Sequence, residues 1–484
     1  MRHGIAYRSL IGRGCLVGLS FALPLLGGCA SVGPEYRGPQ PELPPAWHGQ
    51  QPVPAQAQDL ATWWQGFGDP LLTQLVEQAL AANLDLASAQ AQLREARARR
   101  DLARAELGLS LSASASAARS RSSAAAGSGT TSDRFSAGFD ASWEPDLFGG
   151  GRRSLQAAEA ELAASEQDLY GVRVSLVAEV ARNYLELRTA EQRLHIAEAG
   201  LATRQETYDL TRWRVQAGLV SQLDEAQAKT TLAATRASLP ALRSSVSEAR
   251  YRLAILLARA PGELDSRLQA SADIPTAEPG VALGIPTDTL RQRPDVRAAE
   301  RRLAAQTERL GAAMAARYPG FSLSGSLGLE ALTLGGLFNG GAHAASLLAR
   351  VAAPIFDAGR IDSTVAIQDA LLEQAELAYR SALLDALQDV ENALLGLDAA
   401  GQRRARLGEA LAAAQAAEQL ARDRYAAGLA DFQSVLESQR SRLELHDQLA
   451  LAQGDHGIAL VQLYKALGGG WQNRTAPSAL EESR

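Results

Sequence analysis

The chain has 484 residues, a formal net charge of −6 at pH 7 and an aromatic content of 5%. This slightly acidic balance gives no basic surface of the kind that binds nucleic acid, so we expect no nucleic-acid partner. Alanine, leucine, glutamate, glutamine and arginine dominate the composition, which favours long helices.

Residues 1–28 have the pattern of a secretion signal. Three arginines precede an apolar run over residues 15–26, which is too short to cross a membrane as a helix. The run ends in small residues before Cys29, as in the lipobox of a bacterial lipoprotein, and this predicts cleavage before Cys29 and lipidation of that residue. An ordinary signal peptide with an incidental cysteine is the alternative. Ala30, in place of an aspartate, favours sorting to the outer membrane.

Helical spacing begins after a tail that is rich in proline and glutamine. Residues 30–60 show no period, and residues 29–68 are predicted to be a lipidated, extended tail. Asp69 and Pro70 predict a helix start, with an acceptor at the cap and proline at the first helical position. The helical pattern then continues, with one pause, to about Glu106.

Four stretches alternate strictly between apolar and polar residues. The clearest is 133–143, and the others are 107–117, 321–331 and 345–353. A period of two predicts β-strands with one apolar face and one face of serine, glycine and a few charges. Residues 118–132 are predicted to be a loop between the first two strands.

Very long helices follow the strands. Helical spacing over 152–216 corresponds to about 90 Å at ~1.5 Å per residue, and a second helix is predicted over 222–258. Gly218 suits the left-handed position after a helix end, and Ser221 suits the cap of the next helix. A second pair of this kind is predicted over 359–426 and 432–467.

The chain repeats itself at a constant shift of about 210 residues. Asn83-Leu84-Asp85-Leu86 corresponds to Arg293-Pro294-Asp295-Val296, and Gly218-Leu219 corresponds to Gly428-Leu429. This indicates a tandem duplication. The predicted organisation is a signal peptide (1–28), a lipidated tail (29–68), a first repeat (69–286), a second repeat (287–471) and a C-terminal tail (472–484).

The strands have the length and alternation of strands that span an outer membrane. Lipid does not tolerate an open sheet edge, and four strands are too few to close a barrel, so the barrel must be shared between subunits. Three copies supply twelve strands and leave room for a channel. A soluble β-sandwich is the alternative, but two hairpins provide no second sheet to cover the apolar faces. We therefore predict an α+β membrane protein whose trimer forms a 12-stranded β-barrel and an α-helical barrel.

These motifs resemble the TolC-like outer-membrane efflux protein family, in particular its lipoprotein (NodT-type) members from resistance-nodulation-division (RND) systems. The matching pieces are Cys29 with Val32-Gly33-Pro34-Glu35-Tyr36 and Pro39, Trp64 with Phe67, Asp69 and Leu72, Asn83 with Asp85-Leu86, Arg293-Pro294-Asp295-Val296 with Ala299-Glu300, Pro354-Ile355-Phe356-Asp357 with Gly359-Arg360, and Ala466-Leu467-Gly468-Gly469-Gly470-Trp471.

The resemblance covers nearly the whole mature chain. It implies a homotrimer that lies in the outer membrane of a Gram-negative bacterium and extends into the periplasm. It also implies a passive exit duct for drugs or other small toxic compounds, gated at the periplasmic tip and joined through a periplasmic adaptor to an inner-membrane RND-type pump. A type I secretion duct for proteins and a lipid-anchored periplasmic coiled-coil protein are the alternatives.

The resemblance also implies roles for the two helix turns. Their residues would receive the adaptor, because a bare glycine lets another backbone approach closely. Helix-cap chemistry alone accounts equally well for the glycines and the serine. The implied docking residues are Gly218, Leu219, Ser221, Gly428 and Leu429.

An acidic gate is implied just after the second turn. The family's acidic positions correspond to Ser434 and Glu437, so one acid is replaced by serine. Asp431 shares their helix face at a spacing of three residues and can compensate. A solvated helix start is the alternative reading of the three residues.

The family's latch between neighbouring helices corresponds to Asp224 and Tyr425. Ala430 stands where the family has an assisting arginine, so we expect a weaker or different latch. The sequence contains no HExxH spacing, phosphate-binding loop or nucleophile elbow. We therefore expect no catalytic residues, metal or cofactor.

Overall fold

The computed structural model describes residues 31–39, 44–48, 60–268, 273–277 and 289–471. The predicted signal peptide, Cys29 and the C-terminal tail lie outside these residues. The elements are a 3-10 helix (Leu60–Phe67), α1 (Pro70–Ala82), α2 (Leu84–Ala105), β1 (Ser110–Arg121), β2 (Thr131–Trp143), α3 (Gly150–Gln216), α4 (Gln222–Leu256), α5 (Pro294–Ala315), β3 (Gly320–Ala331), a second 3-10 helix (Leu334–Phe338), β4 (His343–Ala352), α6 (Arg360–Ala426) and α7 (Phe432–Ala466).

The helices confirm the tandem duplication. Helices α2 and α5 each have 22 residues, α3 and α6 each have 67, and α4 and α7 each have 35. The two members of each pair begin 210 residues apart, as Gly150 and Arg360 show for the longest pair. Among the described residues, no helix is both long enough and apolar enough to cross a membrane.

Helix α1 begins where the sequence predicts. The Asp69 carboxylate accepts hydrogen bonds from the amides of Leu71 at 2.8 Å and Leu72 at 3.2 Å, and Pro70 occupies the first turn. Asn83 causes the predicted pause between α1 and α2. Its side-chain oxygen accepts from the Asp85 amide at 2.9 Å, which caps the new helix.

The chain forms two compact units that do not coincide with the repeats. One unit comprises the described residues within 1–40, 94–165 and 299–379, and it includes the four strands. The other comprises those within 41–93, 166–298 and 380–484. Each repeat contributes to both units because α3 and α6 run from one into the other.

The strands form one antiparallel sheet in the order β1-β2-β3-β4. Its register places most of the apolar residues of the four strands on one face, as in the row Ala113, Phe139, Leu327 and Ala345. The adjacent row on the other face is polar and consists of Ser112, Asp140, Ser326 and Ser346. The predicted two-faced strands are therefore confirmed.

The first strand differs from its predicted bounds. It begins at Ser110 rather than at residue 107, and it continues to Arg121, so the loop to β2 is shorter than predicted. The strand continues past the apolar alternation because Arg119 pairs with Asp133 on β2. The Arg119 Nε atom lies 2.6 Å from Asp133 Oδ1, and Nη2 lies 2.7 Å from Oδ2. The charged pair extends the ladder beyond the hydrophobic pattern.

Candidate functional site

The two helix turns have the same backbone structure. Gly218 and Gly428 have φ angles of +70° and +72°, which is the left-handed conformation that favours glycine. The amides of Leu219 and Leu429 donate to carbonyls five residues earlier, at 2.9 and 2.8 Å. This is a Schellman motif, so the predicted helix ends are confirmed at both turns.

Each turn presents an open glycine beside an exposed leucine. A side chain built at Gly218 or Gly428 would meet no atom within 4 Å. Leu219 and Leu429 have the same exposure, 71%. The duplication has thus produced two nearly equivalent surfaces at the ends of the long helices, with room for another backbone to approach each of them.

The helix caps after the turns exchange serine and aspartate between the repeats. Ser221 caps α4, and the Asp224 carboxylate accepts from the Ser221 amide at 3.0 Å, which completes a capping box. At the equivalent positions, Asp431 caps α7 and accepts from the Ser434 amide at 2.9 Å and from its hydroxyl. The hydrogen bonds from Ser434 hold the pKa of Asp431 below its usual range. The serine at position 434 therefore forms half of a cap.

The three residues of the predicted acidic face lie at the start of α7. Asp431, Ser434 and Glu437 are exposed. The Glu437 carboxylate forms no hydrogen bond or ion pair with the described part of the chain. With Asp431 it therefore provides two solvated carboxylates on one side of the first two turns of α7.

Tyr425 contacts Arg214, whereas the resemblance implies a latch of Tyr425 with Asp224. The Arg214 Nη1 atom donates to the Tyr425 hydroxyl at 2.6 Å, and its guanidinium carbon lies 5.0 Å from the ring centroid. The tyrosine ring is also 5.5 Å from that of Phe432. Asp224 is instead engaged by Ser221. Sequence reasoning did not identify Arg214, although Arg424 occupies the same place in the second repeat.

A small apolar cluster surrounds this contact and joins α3, α4, α6 and α7. Ala228, Phe432, Val435 and Leu436 are buried in it. Tyr208, Ala421 and Tyr425 pack against them. The ends of the two hairpins are therefore held together within one protomer by apolar packing and by one cation–aromatic contact.

Comparison with known proteins identifies the family. Residues 75–259 and 285–469 match the family described as "Outer membrane efflux protein". The chain belongs to the outer membrane efflux protein family. It is 34% identical over 466 residues to the pyoverdine export outer membrane protein OpmQ of Pseudomonas putida, covering 95% of this chain and 97% of that protein. It is 30% identical over 452 residues to nodulation protein T of Rhizobium leguminosarum bv. trifolii, covering 92% and 96%.

The solved structure of the outer-membrane channel OprN has the same fold as this outer membrane efflux protein. The TM-score is 0.85 at 36% sequence identity, and the alignment covers 91% of this chain and 99% of that one. The protein is therefore an efflux channel of the Gram-negative outer membrane that extends into the periplasm, and it is not an enzyme. It works as the exit duct of a tripartite system with an adaptor and a pump.

Proposed function

We propose that three copies of the chain form one duct, with a twelve-stranded barrel in the outer membrane and a helical barrel in the periplasm. The sheet supports this proposal because β1 and β4 are exposed along their whole length and leave both edges open. An open edge in lipid must be paired. Four strands close a barrel only with copies of themselves, and twelve strands enclose a channel.

The polar face of the sheet would line this duct. Serine hydroxyls pair across it, as Ser110 does with Ser142 at 2.7 Å, and Arg134 pairs with Glu330 at 2.7 Å. A wall of hydroxyls and neutralised charges holds small organic compounds weakly and lets them pass. We therefore propose drugs or other small toxic compounds as cargo, driven by an RND-type pump. A type I secretion system encoded beside this gene would instead favour protein cargo.

The two turns are the proposed adaptor-docking surfaces. Gly218, Leu219 and Ser221 form one, and Gly428 and Leu429 form the other. A trimer would present six similar surfaces, which suits an adaptor that engages the duct with repeated tips. The open glycines and the exposed leucines support this assignment.

The gate proposal rests on Asp431, Ser434 and Glu437, with Asp224 and Tyr425 at the latch. Three-fold symmetry would bring three copies of the acidic face around one axis. The carboxylates would then repel one another and attract cations. The contact between Arg214 and Tyr425 would oppose opening because it ties α6 to α3.

Single-channel conductance of the purified protein tests the gate. The variant Asp431→Asn, Glu437→Gln removes two charges and keeps a good helix cap, since asparagine caps as well as aspartate does. We expect its preference for cations to fall. Glu376→Gln, an exposed acid of α6 far from the turn, is the matched control. An unchanged cation preference in the double variant would refute the proposed gate.

Two measurements test the rest of the proposal. Light scattering of the detergent-solubilised protein should give the mass of a trimer, and a monomer or dimer would contradict the shared barrel. Carbonate washing of membranes that contain Cys29→Ser should leave the protein in the pellet. Release into the supernatant would instead indicate a periplasmic coiled coil held by lipid alone.

A further inference from the structure

The four strands carry the duplication in their pairing as well as in their sequence. At the end of the sheet that joins the long helices, which we call its base, Ser110 of β1 pairs with Ser142 of β2. At the base of the second hairpin, Gly320 of β3 pairs with Ala352 of β4. Each residue of the second pair lies 210 positions after its counterpart, so the two hairpins have the same register.

The pairing of β2 with β3 joins the two hairpins within one chain. In it, Ser136 lies opposite Glu330, and Ala141 lies opposite Gly325. The shift of 210 residues converts β2 into β4 and β3 into β1, which are the two strands at the open edges of the sheet. The junction within the chain is therefore a template for the junction of β4 in one copy with β1 in the next copy.

This template gives one register for the open edges. It places Ser346 opposite Ser120 of the next copy, and Val351 opposite Ala115 of the next copy. The two serines both lie on the polar face of the sheet, whereas Val351 and Ala115 both lie on the apolar face. A slip of one residue would turn the apolar residues of β4 towards the polar face of β1, so the template also satisfies the two-faced pattern.

The polar row of this register is continuous. The hydroxyl oxygen of Ser120 lies 3.0 Å from that of Ser132 on β2, and the hydroxyl oxygen of Ser346 lies 2.7 Å from that of Ser326 on β3. Placing Ser346 beside Ser120 of the next copy joins these two pairs into a row of four hydroxyls. Such cross-strand contacts between hydroxyls stabilise neighbouring strands.

Two strongly exposed apolar side chains follow β4 at the base. Ile355 and Phe356 are 98% and 90% exposed. In the first repeat, the link after β2 is covered differently, because Phe148 stacks on Tyr318 with their ring centroids 4.8 Å apart. Tyr318 lies two residues before β3, and Gly108 has the equivalent place before β1. The neighbour that would cover the second link is therefore the start of β1 in the next copy.

The start of β1 has an apolar residue for this contact. Leu109 directly precedes β1 and is 68% exposed. In an antiparallel pair the end of one strand lies beside the start of the other, so Leu109 of the next copy would lie at the level of Ile355 and Phe356. Contact between these side chains would remove apolar surface from solvent on both copies.

We propose that β4 pairs with β1 of the next copy in the register of β2 with β3, so that Ser346 lies opposite Ser120, and that Ile355 and Phe356 pack against Leu109 of that copy. This inference rests on the proposed shared barrel and defines the boundary between its subunits. Each boundary between copies then repeats the junction within the chain, which lets three copies close one ring.

One row of the boundary differs from its template. Gly138 and Gly328 approach so closely that a side-chain carbon on Gly138 would lie 2.9 Å from the Gly328 Cα atom. Their counterparts at the boundary are Leu348 and Ala118, whose side chains need the usual spacing between strands. The boundary between copies is therefore wider at this row than the junction within the chain.

Disulfide scanning in the full-length protein tests the register. Ser346→Cys is combined in turn with Ser116→Cys, Ala118→Cys and Ser120→Cys, and the isolated outer membranes are oxidised mildly. Within one chain β1 and β4 are three strand spacings apart, about 14 Å, which is too far for a disulfide. We expect covalently linked copies on a denaturing gel only with Ser120→Cys, because a step of two residues along a strand adds about 7 Å.

Two controls and the mass of the protein complete this test. Ser326→Cys with Ser346→Cys should consume its thiols without linking copies, because these residues are partners within one sheet, and the chain without added cysteines is the blank. Stronger cross-linking with Ser116→Cys or Ala118→Cys would overturn the register. A trimer that none of the three combinations cross-links would overturn the pairing of β4 with β1. A monomer by light scattering would instead refute the shared barrel itself.

Thermal dissociation of the detergent-solubilised trimer tests the apolar contact. The double variant Ile355→Ala, Phe356→Ala should dissociate at a lower temperature than the unaltered protein, because it loses the packing against Leu109 of the next copy. Phe338→Ala removes an 85% exposed ring at the opposite end of the second hairpin and should leave the dissociation temperature unchanged. An unchanged temperature in the double variant, or an equal fall in both variants, would overturn the assignment of this contact.

Discussion

Asn83 and Arg293 occupy equivalent positions in the two repeats. Their different side chains donate hydrogen bonds to equivalent backbone carbonyls. Asn83 Nδ2 donates to the carbonyl of Leu256, the last residue of α4, at 2.9 Å. Arg293 Nη1 donates to the carbonyl of Ala466, the last residue of α7, at 2.8 Å. Each residue thus ties the end of a hairpin to the start of its own repeat, because the final carbonyls of a helix have no partner within the helix.

Replacing Arg293 should destabilise the protein more than replacing Asn83. Arg293 also pairs with Asp295 at 2.7 Å and with Asp389 at 2.9 Å. Arg293→Ala removes all these bonds and leaves two carboxylates beside each other, so we expect it to lower the free energy of unfolding by about 2–3 kcal/mol. Asn83→Ala should cost about 1 kcal/mol.

Chemical denaturation of the detergent-solubilised protein measures both effects. Arg406→Ala is the control, because Arg406 forms only an exposed pair with Glu409 on α6 and should change stability by at most about 0.5 kcal/mol. If Arg293→Ala were no more destabilising than Arg406→Ala, the proposed role of Arg293 as a tie would be wrong.

Asp295 should make the protein sensitive to acid. Burial acts to raise its pKa, but the hydrogen bond and the charge of Arg293 outweigh burial and hold the pKa below the usual 3.8. As the pH falls, the unfolded carboxyl therefore binds a proton first. The stabilising effect is fully present above the unfolded pKa and is lost as the pH falls through the lower folded value. Melting temperatures measured between about pH 6 and pH 3 should fall less steeply in Asp295→Asn, and parallel curves would contradict the argument.

Ala258→Gly should stabilise the protein. Ala258 is exposed, has a φ angle of +53° and directly follows the last turn of α4, where Gly468 has a φ of +75° at the equivalent place in the second repeat. Glycine removes the left-handed strain of alanine, so we expect a gain of about 1 kcal/mol in the free energy of unfolding. Ala237→Gly, in the exposed interior of α4, should instead cost a similar amount. A loss of stability in Ala258→Gly would refute this prediction.

Arg214→Gln should make the channel open more readily. It removes the hydrogen bond to Tyr425 and the contact of the guanidinium with the ring, both of which tie α3 to α6. The mean conductance in planar bilayers should rise, and adding Tyr425→Phe should have little further effect because both changes break one contact. Arg424→Gln alters the exposed equivalent in the second repeat and is the control. Additive effects of Arg214→Gln and Tyr425→Phe would show that the two residues act separately.

Neighbouring residues of β2 can establish which face of the sheet meets lipid. Ala137 lies on the apolar face, in register with Ala115 and Leu329, and Ser136 lies on the polar face. Ala137→Arg should cost about 2–4 kcal/mol near the middle of the bilayer and should lower the amount of protein in the outer membrane. Ser136→Arg should insert normally. The opposite result would reverse the assignment of the two faces.

The elements of this fold were predictable because their signals are local. Each of these signals involves residues that are only a few positions apart. Examples are the helix start at Asp69 and Pro70, the helix end at Gly218 and the alternation within β2. The duplication could also be recognised, because corresponding residues recur at one constant shift. The end of β1 was predicted wrongly, since the last rungs of its ladder depend on the pairing of Arg119 with Asp133 rather than on apolar alternation.

The sequence by itself therefore determined the two repeats, the long helix pairs, the two-faced strands and the positions of the turns. Only the tertiary structure showed that Arg214 contacts Tyr425, that Ser434 forms half of a helix cap with Asp431, and that Gly33 lies against Gly311. The physical reason is the range of the interactions. Periodicity and capping involve residues that are a few positions apart and can therefore be recognised in the sequence. Contacts between distant residues form only in the folded chain, and no local pattern in the sequence indicates them.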